Sequence, residues 1–290
     1  MRHAYSDDDG TPRMILVTGA TGNVGSELVR ALAEAGEPVR ALIRDEDRRA
    51  QLPAGVEGVV GDLNDADTLG PALDGVTAVH LLAGYAGLPA ALVRMKAAGV
   101  ERVTLQSSSS APDGDTTNAV ARYHIESEAA IRASGLQWTF LQPNSFMSNT
   151  LEWAEPLRNG DVVAAPFAGV RVAVIDPRDI AAVAAAALTR DGHAGRSYRL
   201  SGPESLLPAE RLAILGSVLG RELRLEPQSD EDARAEMSAA MPAEYVDAFF
   251  RFFVDGTLDE SKGLPTVEEV LGRPPRTFRA WAEEHADAFR

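Results

Sequence analysis

Met14-Ile15-Leu16-Val17-Thr18-Gly19-Ala20-Thr21-Gly22-Asn23-Val24-Gly25 decides the fold. A strand-length apolar run, residues 14–18, passes directly into three glycines spaced G-x-x-G-x-x-G. Residues 26–35 then repeat apolar side chains at helical spacing and stop before Gly36, a C-terminal signal. In a strand–turn–helix unit each glycine has a task. One allows the tight turn, one lets backbone approach a pyrophosphate, and the last lets helix and strand pack closely. The helix start then offers free N–H groups and a partial positive charge to phosphate. The alternative is a plain glycine turn in a sheet protein.

The same rhythm continues outward. Strands are predicted at 39–44, 56–61, 78–83, 102–106 and 138–142, and helices at 66–73, 88–98 and 117–133, with Gly75, Gly99 and Gly135 closing the helices. Short strands alternating with helices imply right-handed parallel βαβ units. The strands are continuous apolar runs, as expected where helices cover both faces. The fold class is therefore α/β, a doubly wound parallel sheet. Beyond Pro143 the rhythm loosens. Strands are expected at 162–165, 170–175, 197–201 and 222–225. Helices are expected at 177–188, capped by Asp176, and at 208–219, and residues 229–290 read as mostly helical. This divides the chain into a flexible segment 1–13, a dinucleotide-binding domain 14–150 whose sheet is completed by 162–202, and a smaller, mostly helical C-terminal α+β lobe 203–290.

Composition narrows the partners. The 290 residues carry 28 Lys plus Arg against 43 Asp plus Glu, a net charge of −15. Such acidity disfavours nucleic acid and anionic membranes. There is no cysteine, which excludes disulfides and thiolate chemistry. The run 180–188 is about half of what a membrane crossing needs. A cytoplasmic protein with a small-molecule substrate is expected. His3, His80, His124, His193 and His285 are scattered without metal-ligand spacing.

Two positions report on the nucleotide. An acid at the end of the second strand would hold a ribose hydroxyl, whereas arginine accommodates a 2′-phosphate. Here the strand ends in Arg44, with Arg48 and Arg49 close by, which favours NADP(H) over NAD(H); Asp45 weakens that preference, and Arg44 pairing with Glu46 or Asp47 is the plainer reading. Gly61-Asp62-Leu63 closes the third strand, where Asp62 either accepts from an adenine amino group or caps a turn.

With these motifs in hand, the chain resembles the NmrA-like branch of the atypical short-chain dehydrogenases/reductases. The resemblance rests on residues 19–25, on Gly61-Asp62-Leu63, and on Ser134-Gly135-Leu136-Gln137-Trp138-Thr139-Phe140-Leu141-Gln142-Pro143-Asn144. Asp176-Pro177-Arg178-Asp179-Ile180-Ala181 and Tyr198-Arg199-Leu200-Ser201-Gly202-Pro203 extend it. It implies a Rossmann domain that binds NAD(P), a small C-terminal lobe and a substrate cleft between them. For the cofactor it points to Gly19, Thr21, Gly22, Asn23, Val24, Gly25, Arg44, Asp62, Leu63, Leu82, Ala83, Ser107 and Pro143. The chain departs from the reductase pattern at the Tyr-x-x-x-Lys pair. One register puts Val120 and His124 at those positions, the other Tyr123 and Ser127. Related sequences also often read Leu-Arg-Pro where this one reads Leu141-Gln142-Pro143.

Ligands gather at the carboxyl edge of a parallel sheet. Ser107–Ser110 follow the fifth strand, and the resemblance singles out Ser108 or Ser109 for bonding a substrate carbonyl; the alternative is hydroxyls bonding local backbone. Tyr123 and His124 on the next helix are candidate proton donors. Glu128 lies one turn from His124 and is expected to favour the imidazolium. The resemblance turns the loop with Asn144, Phe146 and Met147 toward the nicotinamide and substrate, although Phe146 and Met147 also read as core. His80, inside a strand, reads as a hydrogen-bonded core histidine. Tyr245, Phe249, Phe250, Phe252 and Phe253 form one helical stripe. It serves either packing, a homodimer included, or a lid over an aromatic substrate. The expected activity is NADPH-dependent reduction of a quinone, ketone or conjugated carbonyl. The alternatives are a non-catalytic NAD(P) sensor with a protein partner, and a non-redox isomerase, dehydratase or cyclase using the same pocket.

Overall fold

The computed structural model describes residues 14–290, and the expected flexible segment 1–13 lies outside the described residues. The elements in chain order are β1 (Met14–Val17), α1 (Asn23–Glu34), β2 (Val39–Ile43), β3 (Glu57–Val60), α2 (Gly70–Leu73), β4 (Val76–Leu82), α3 (Leu88–Ala97), β5 (Arg102–Gln106), α4 (Ala119–Ser134), β6 (Gln137–Pro143), α5 (Ala154–Asn159), β7 (Val162–Ala165), α6 (Pro177–Thr189), β8 (Arg196–Leu200), α7 (Pro208–Leu219), β9 (Arg224–Pro227), α8 (Asp230–Ala240), α9 (Ala243–Phe253), α10 (Thr266–Leu271) and α11 (Phe278–Glu284).

Seven strands form one sheet in the order β3-β2-β1-β4-β5-β6-β8, and β1 to β6 pair in parallel. The order reverses between β1 and β4, which makes the carboxyl end of β1 the switch point where such sheets bind ligands. The predicted Rossmann-type α/β fold is what the chain adopts. Leu16, Val79, Leu105 and Phe140 are fully buried in one apolar core with Leu88 and Met95 of α3. Arg40 explains a charge inside a central strand: its Nε bonds Glu57 at 2.7 Å, and Nη1 reaches the carbonyls of Ala72 and Asp74.

Two local expectations give way. Residues 66–73 are not one helix but a 3₁₀ turn, Ala66–Leu69, joined to α2, because Asp65 caps the turn through Asp67 N–H and Pro71 opens the second piece. Residues 170–175 are not a strand. Only the isolated bridges Val172 to Leu206 and Phe146 to Ile175 form, since their partners are loop segments that propagate no ladder. The apolar run there reflects burial of Val172, Val174 and Ile175 rather than pairing.

The chain makes two compact units. One takes residues up to Ser108 with Tyr123–Gln142 and Ile180–Tyr198; the other takes Ser109–Arg122, Pro143–Asp179 and Arg199–Arg290. Of the segment 162–202 expected to complete the sheet, Arg196–Leu200 joins it, while β7 pairs with β9 in a separate two-stranded sheet. In this second unit Met147, Trp153, Leu212, Phe278 and Trp281 share a core. Asp176 caps α6 as expected, accepting from Arg178 N–H at 2.9 Å. The aromatic stripe lies on α9. Phe250 and Phe252 are buried, Phe249 and Phe253 half-buried, and Phe167 packs against Phe250 and Phe253. Among the described residues no helix is long and apolar enough to cross a membrane.

Candidate functional site

β1 delivers the chain into the glycine loop at the switch point, and the loop geometry requires its glycines. Gly19 has φ +62°, and a Cβ there would lie 2.5 Å from Leu82 Cδ1. A Cβ on Gly25 would lie 2.1 Å from the Gly19 carbonyl oxygen, so the third glycine lets α1 press against the turn. Val24 and Gly25 are buried on that contact, and Asn23 is exposed at the first helical position. The first helical hydrogen bond of α1 is Ser26 N–H to Gly22 O at 3.0 Å, and no side chain caps the helix. Gly22 N–H closes the turn on the Gly19 carbonyl at 2.9 Å, and the N–H groups of Asn23, Val24 and Gly25 remain for an anion. Thr18 Oγ1 is buried beside the loop without a hydrogen-bond partner among the described residues. A backbone cradle closed to side chains, an uncapped helix start and an orphaned hydroxyl fit a dinucleotide pyrophosphate.

An open pocket of about 280 Å³ continues from the loop. Its lining gathers seven of the expected cofactor residues, Gly19, Thr21, Gly22, Arg44, Asp62, Leu63 and Leu82. It adds Thr18, Arg48 and Tyr85, of which the sequence had marked only Arg48. Arg44 pairs with neither Glu46 nor Asp47. Its Nη2 donates to the Tyr85 hydroxyl at 3.2 Å, and that bond raises its pKa. The neighbouring acids are occupied elsewhere, Glu46 by Arg49 at 2.8 Å and Asp45 by Arg48 at 3.9 Å. Asp62 Oδ1 accepts from Asn64 N–H at 2.9 Å, the turn-capping role, with its side chain still on the pocket wall. Ala83, Ser107 and Pro143 are not among the lining residues; Ala83 is half-buried past β4, and the other two are buried.

The serines after β5 divide. Ser107 Oγ donates to Glu128 Oε1 at 2.6 Å, and Ser109 Oγ donates to Glu260 Oε1 at 2.6 Å. Each hydroxyl has a single proton, so both donors are committed. Ser108, between them, is half-buried. Gln142, where related sequences often carry arginine, donates to Glu128 Oε1 at 2.9 Å, and Arg132 bonds the other carboxylate oxygen at 3.0 Å.

That network corrects the reading of His124. Glu128 is taken up by Ser107, Gln142 and Arg132, and His124 Nδ1 is buried without a hydrogen-bond partner among the described residues. Burial pushes the His124 pKa down to about 3, so the expected imidazolium is replaced by a neutral ring. The Tyr123 ring lies beside it, tilted by 38° with ring centroids 4.2 Å apart. Gly84, at φ +90°, admits the Tyr123 ring, because a Cβ there would meet Cδ2 at 3.3 Å. Ser127 donates to the Tyr123 carbonyl at 2.7 Å and accepts from Gly84 N–H, a backbone clamp in place of a lysine. His80 is fully buried on Thr104 Oγ1 at 2.9 Å, and desolvation lowers its pKa to about 4.

In the second unit the loop after β6 is held from within. Asn144 Nδ2 donates to the carbonyls of Ala173 and Glu260, at 3.3 and 3.1 Å. Met147 is buried in the core, and Phe146 keeps a partly exposed ring. Ser145 gives both its N–H and its hydroxyl to Glu260. Sequence reasoning missed Glu260, since nothing in residues 258–264 resembles a motif and every partner is remote in sequence. Burial pushes its carboxyl above the usual range, against the bonds from Ser109 and Ser145.

Comparison with known proteins agrees with this geometry. The NAD(P)H-binding family model matches residues 19–191. The chain is 44% identical over 280 residues to the (4-alkanoyl-5-oxo-2,5-dihydrofuran-3-yl)methyl phosphate reductase of Streptomyces griseus, covering 95% of this chain and 99% of that protein. It is 39% identical to the NAD(P)H azoreductase of Xenophilus azovorans, with the same coverages. The NADPH complex of the Escherichia coli NADPH-dependent quinone oxidoreductase superposes with a TM-score of 0.77 at 25% identity, covering 93% of this chain and 99% of that one. The NmrA-like resemblance read from the motifs is thereby borne out. The chain belongs to the NAD(P)H-binding family, and it is an oxidoreductase that works with a nicotinamide cofactor.

Proposed function

We propose that the protein takes NADPH in preference to NADH and reduces a quinone, ketone or conjugated carbonyl compound. The observation that carries the cofactor preference is Arg44 on the pocket wall, bonded to Tyr85 rather than to an acid and joined there by Arg48. Two guanidinium groups at the end of β2 suit a 2′-phosphate, which they can grip with paired hydrogen bonds. The N–H groups that open α1, from Asn23, hold the pyrophosphate over the Gly19–Gly22 turn, and Asp62 with Leu63 borders the adenine.

The reduced nicotinamide, when bound, supplies the hydride. The chain has to position the acceptor and manage one proton. Neutral His124 bonds the acceptor oxygen without titrating, and the Tyr123 phenol is the proton source beside it. Ser107 and Ser109 donate to carboxylates, and half-buried Ser108 between them is the serine assigned to the acceptor carbonyl. Within the second unit, Asn144 and Met147 keep the loop that carries Phe146 in place. The acceptor class is supported by the Streptomyces griseus relative, whose named substrate has a ring double bond conjugated with carbonyls, and by the azoreductase and quinone oxidoreductase relatives.

The test is NADPH and NADH consumption by the purified protein against quinones, conjugated ketones and azo dyes, with parallel titrations of both cofactors. Acceptor-dependent NADPH oxidation is expected. Tight binding of both redox forms with no consumption across the panel would favour a sensor instead.

A further inference from the structure

Tyr85 stands on the wall of the pocket at the glycine loop, within the first unit. Its half-buried ring packs on the core that holds Leu63, Leu88 and Leu92. A phenylalanine would pack there equally well, so the core accounts for the ring and not for the hydroxyl. The hydroxyl meets Arg44 and accepts from its Nη2 at 3.2 Å. In accepting that bond it keeps its own proton to donate.

The segment that carries Tyr85 is fixed from several sides. The Tyr85 carbonyl accepts from Leu88 N–H at 3.1 Å, where α3 opens. Gly87 N–H donates to Asn64 Oδ1 at 3.3 Å, and Asn64 N–H donates in turn to Asp62 Oδ1. A Cβ on Gly87 would lie 2.4 Å from the Leu63 carbonyl oxygen, so the loops after β3 and β4 touch backbone to backbone. Arg44 is the opposite case, a long, exposed side chain whose rotamers must be ordered before it can grip an anion. Its bond to Tyr85 supplies that order in advance. Arg48 adds a second guanidinium to this wall, against the single carboxylate of Asp62.

We propose that Tyr85 is a specificity-determining residue for the 2′-phosphate of the cofactor: its hydroxyl holds Arg44 in place and donates its own proton to a phosphate oxygen. Arg44 and Tyr85 then grip as one unit, with a charge from the first and a fixed position from the second. A ribose that carries a hydroxyl in place of the phosphate gains little from the pair. This rests on the NADPH preference proposed above.

The test is calorimetric titration of wild type, Tyr85→Phe, Arg44→Gln and the double variant with NADPH and NADH, and with the fragments 2′,5′-ADP and 5′-AMP. Tyr85→Phe keeps the ring on the core and removes only the hydroxyl. It is expected to weaken NADPH and 2′,5′-ADP about tenfold, the effect of one hydrogen bond to a charged group. Its Kd for NADH and for 5′-AMP should stay at the wild-type value. The double variant should lose less affinity for NADPH than the two single losses multiplied, because both groups grip one phosphate. Equal weakening of phosphorylated and unphosphorylated ligands, no change in any of them, or losses that multiply in the double variant overturns the role of Tyr85 while the NADPH preference stands. Wild type that binds NADPH no more tightly than NADH overturns the preference itself, and the role of Tyr85 with it.

Discussion

Ser109 Oγ gives its only proton to Glu260 Oε1 at 2.6 Å, across 151 residues of sequence. Glu260 also receives the Ser145 hydroxyl and N–H, so one buried carboxylate ties the loop after β5 to the loop after β6. Glu260→Ala leaves those donors buried and unmet, at about 1–3 kcal/mol apiece. Denaturant unfolding should show a loss on the order of 3 kcal/mol. The pH dependence follows from the raised pKa. The folded chain holds the Glu260 proton more tightly than the unfolded chain, so this group stabilises at low pH and that contribution fades as pH rises above about 4. Glutamine has no proton to lose. Relative to Glu260→Gln, the wild-type Tm should therefore fall between weakly acidic and neutral pH; parallel curves would remove Glu260 as the titrating group.

The two buried histidines work in the opposite direction. His80 and His124 are held down to about 4 and about 3 in the folded state, whereas an unfolded histidine titrates near 6.5. Below that value the unfolded chain takes up protons that the folded chain refuses, and stability falls. Each contributes on the order of 2 kcal/mol of loss between pH 7 and pH 5. Thermal melts of His124→Gln should show that acid dependence reduced by about half. Its counterpart in catalysis is a kcat profile with no inflection from His124 across neutral pH.

Gly25→Ala tests the cradle. The added methyl would lie 2.1 Å from the Gly19 carbonyl oxygen, and neither backbone segment can yield without opening the turn. NADPH binding, followed by fluorescence titration, should weaken by at least about tenfold, because the uncapped N–H groups no longer point together. Unchanged affinity would mean that the pyrophosphate binds elsewhere.

Arg44→Gln tests the phosphate grip. A charge-assisted hydrogen bond contributes about 1.5–3 kcal/mol, so NADPH should bind about 10- to 100-fold more weakly. NADH, lacking the phosphate, should be unaffected. Equal losses for both cofactors would assign Arg44 to the pocket wall through Tyr85 alone.

Much of the fold was legible because local signals and burial agreed. The glycine loop, the apolar strands and the helix-ending glycines each carry their meaning within a few residues, and β5, β7 and α7 fall where the periodicity puts them. Residues 170–175 misled because an apolar run records burial without recording whether a pairing partner exists. The pocket at the glycine loop was legible for the same local reason, since the loop, Arg44 and Asp62 sit at strand ends and line it together. What was not legible depends on contacts remote in sequence. Tyr85 meets Arg44 across the sheet edge, Glu128 is drawn away from His124 by Ser107 and Gln142, and Glu260 meets Ser109 only after folding. Spacing along a helix placed His124 and Glu128 on one face, but Glu128 was taken by other partners and burial of the His124 ring decided the proton.

The unit boundaries fall after Ser108, Arg122, Gln142, Asp179 and Tyr198, so the chain passes five times from one unit to the other. Neither unit is a contiguous stretch that a gene fragment could encode or a single protease cut could release. Exchanging one unit for that of a relative would require five junctions placed together, most of them next to a sheet strand. Diversification of acceptor chemistry on this scaffold is thus confined to point substitutions and loop changes within an unbroken reading frame, and recombination of whole modules is closed to it.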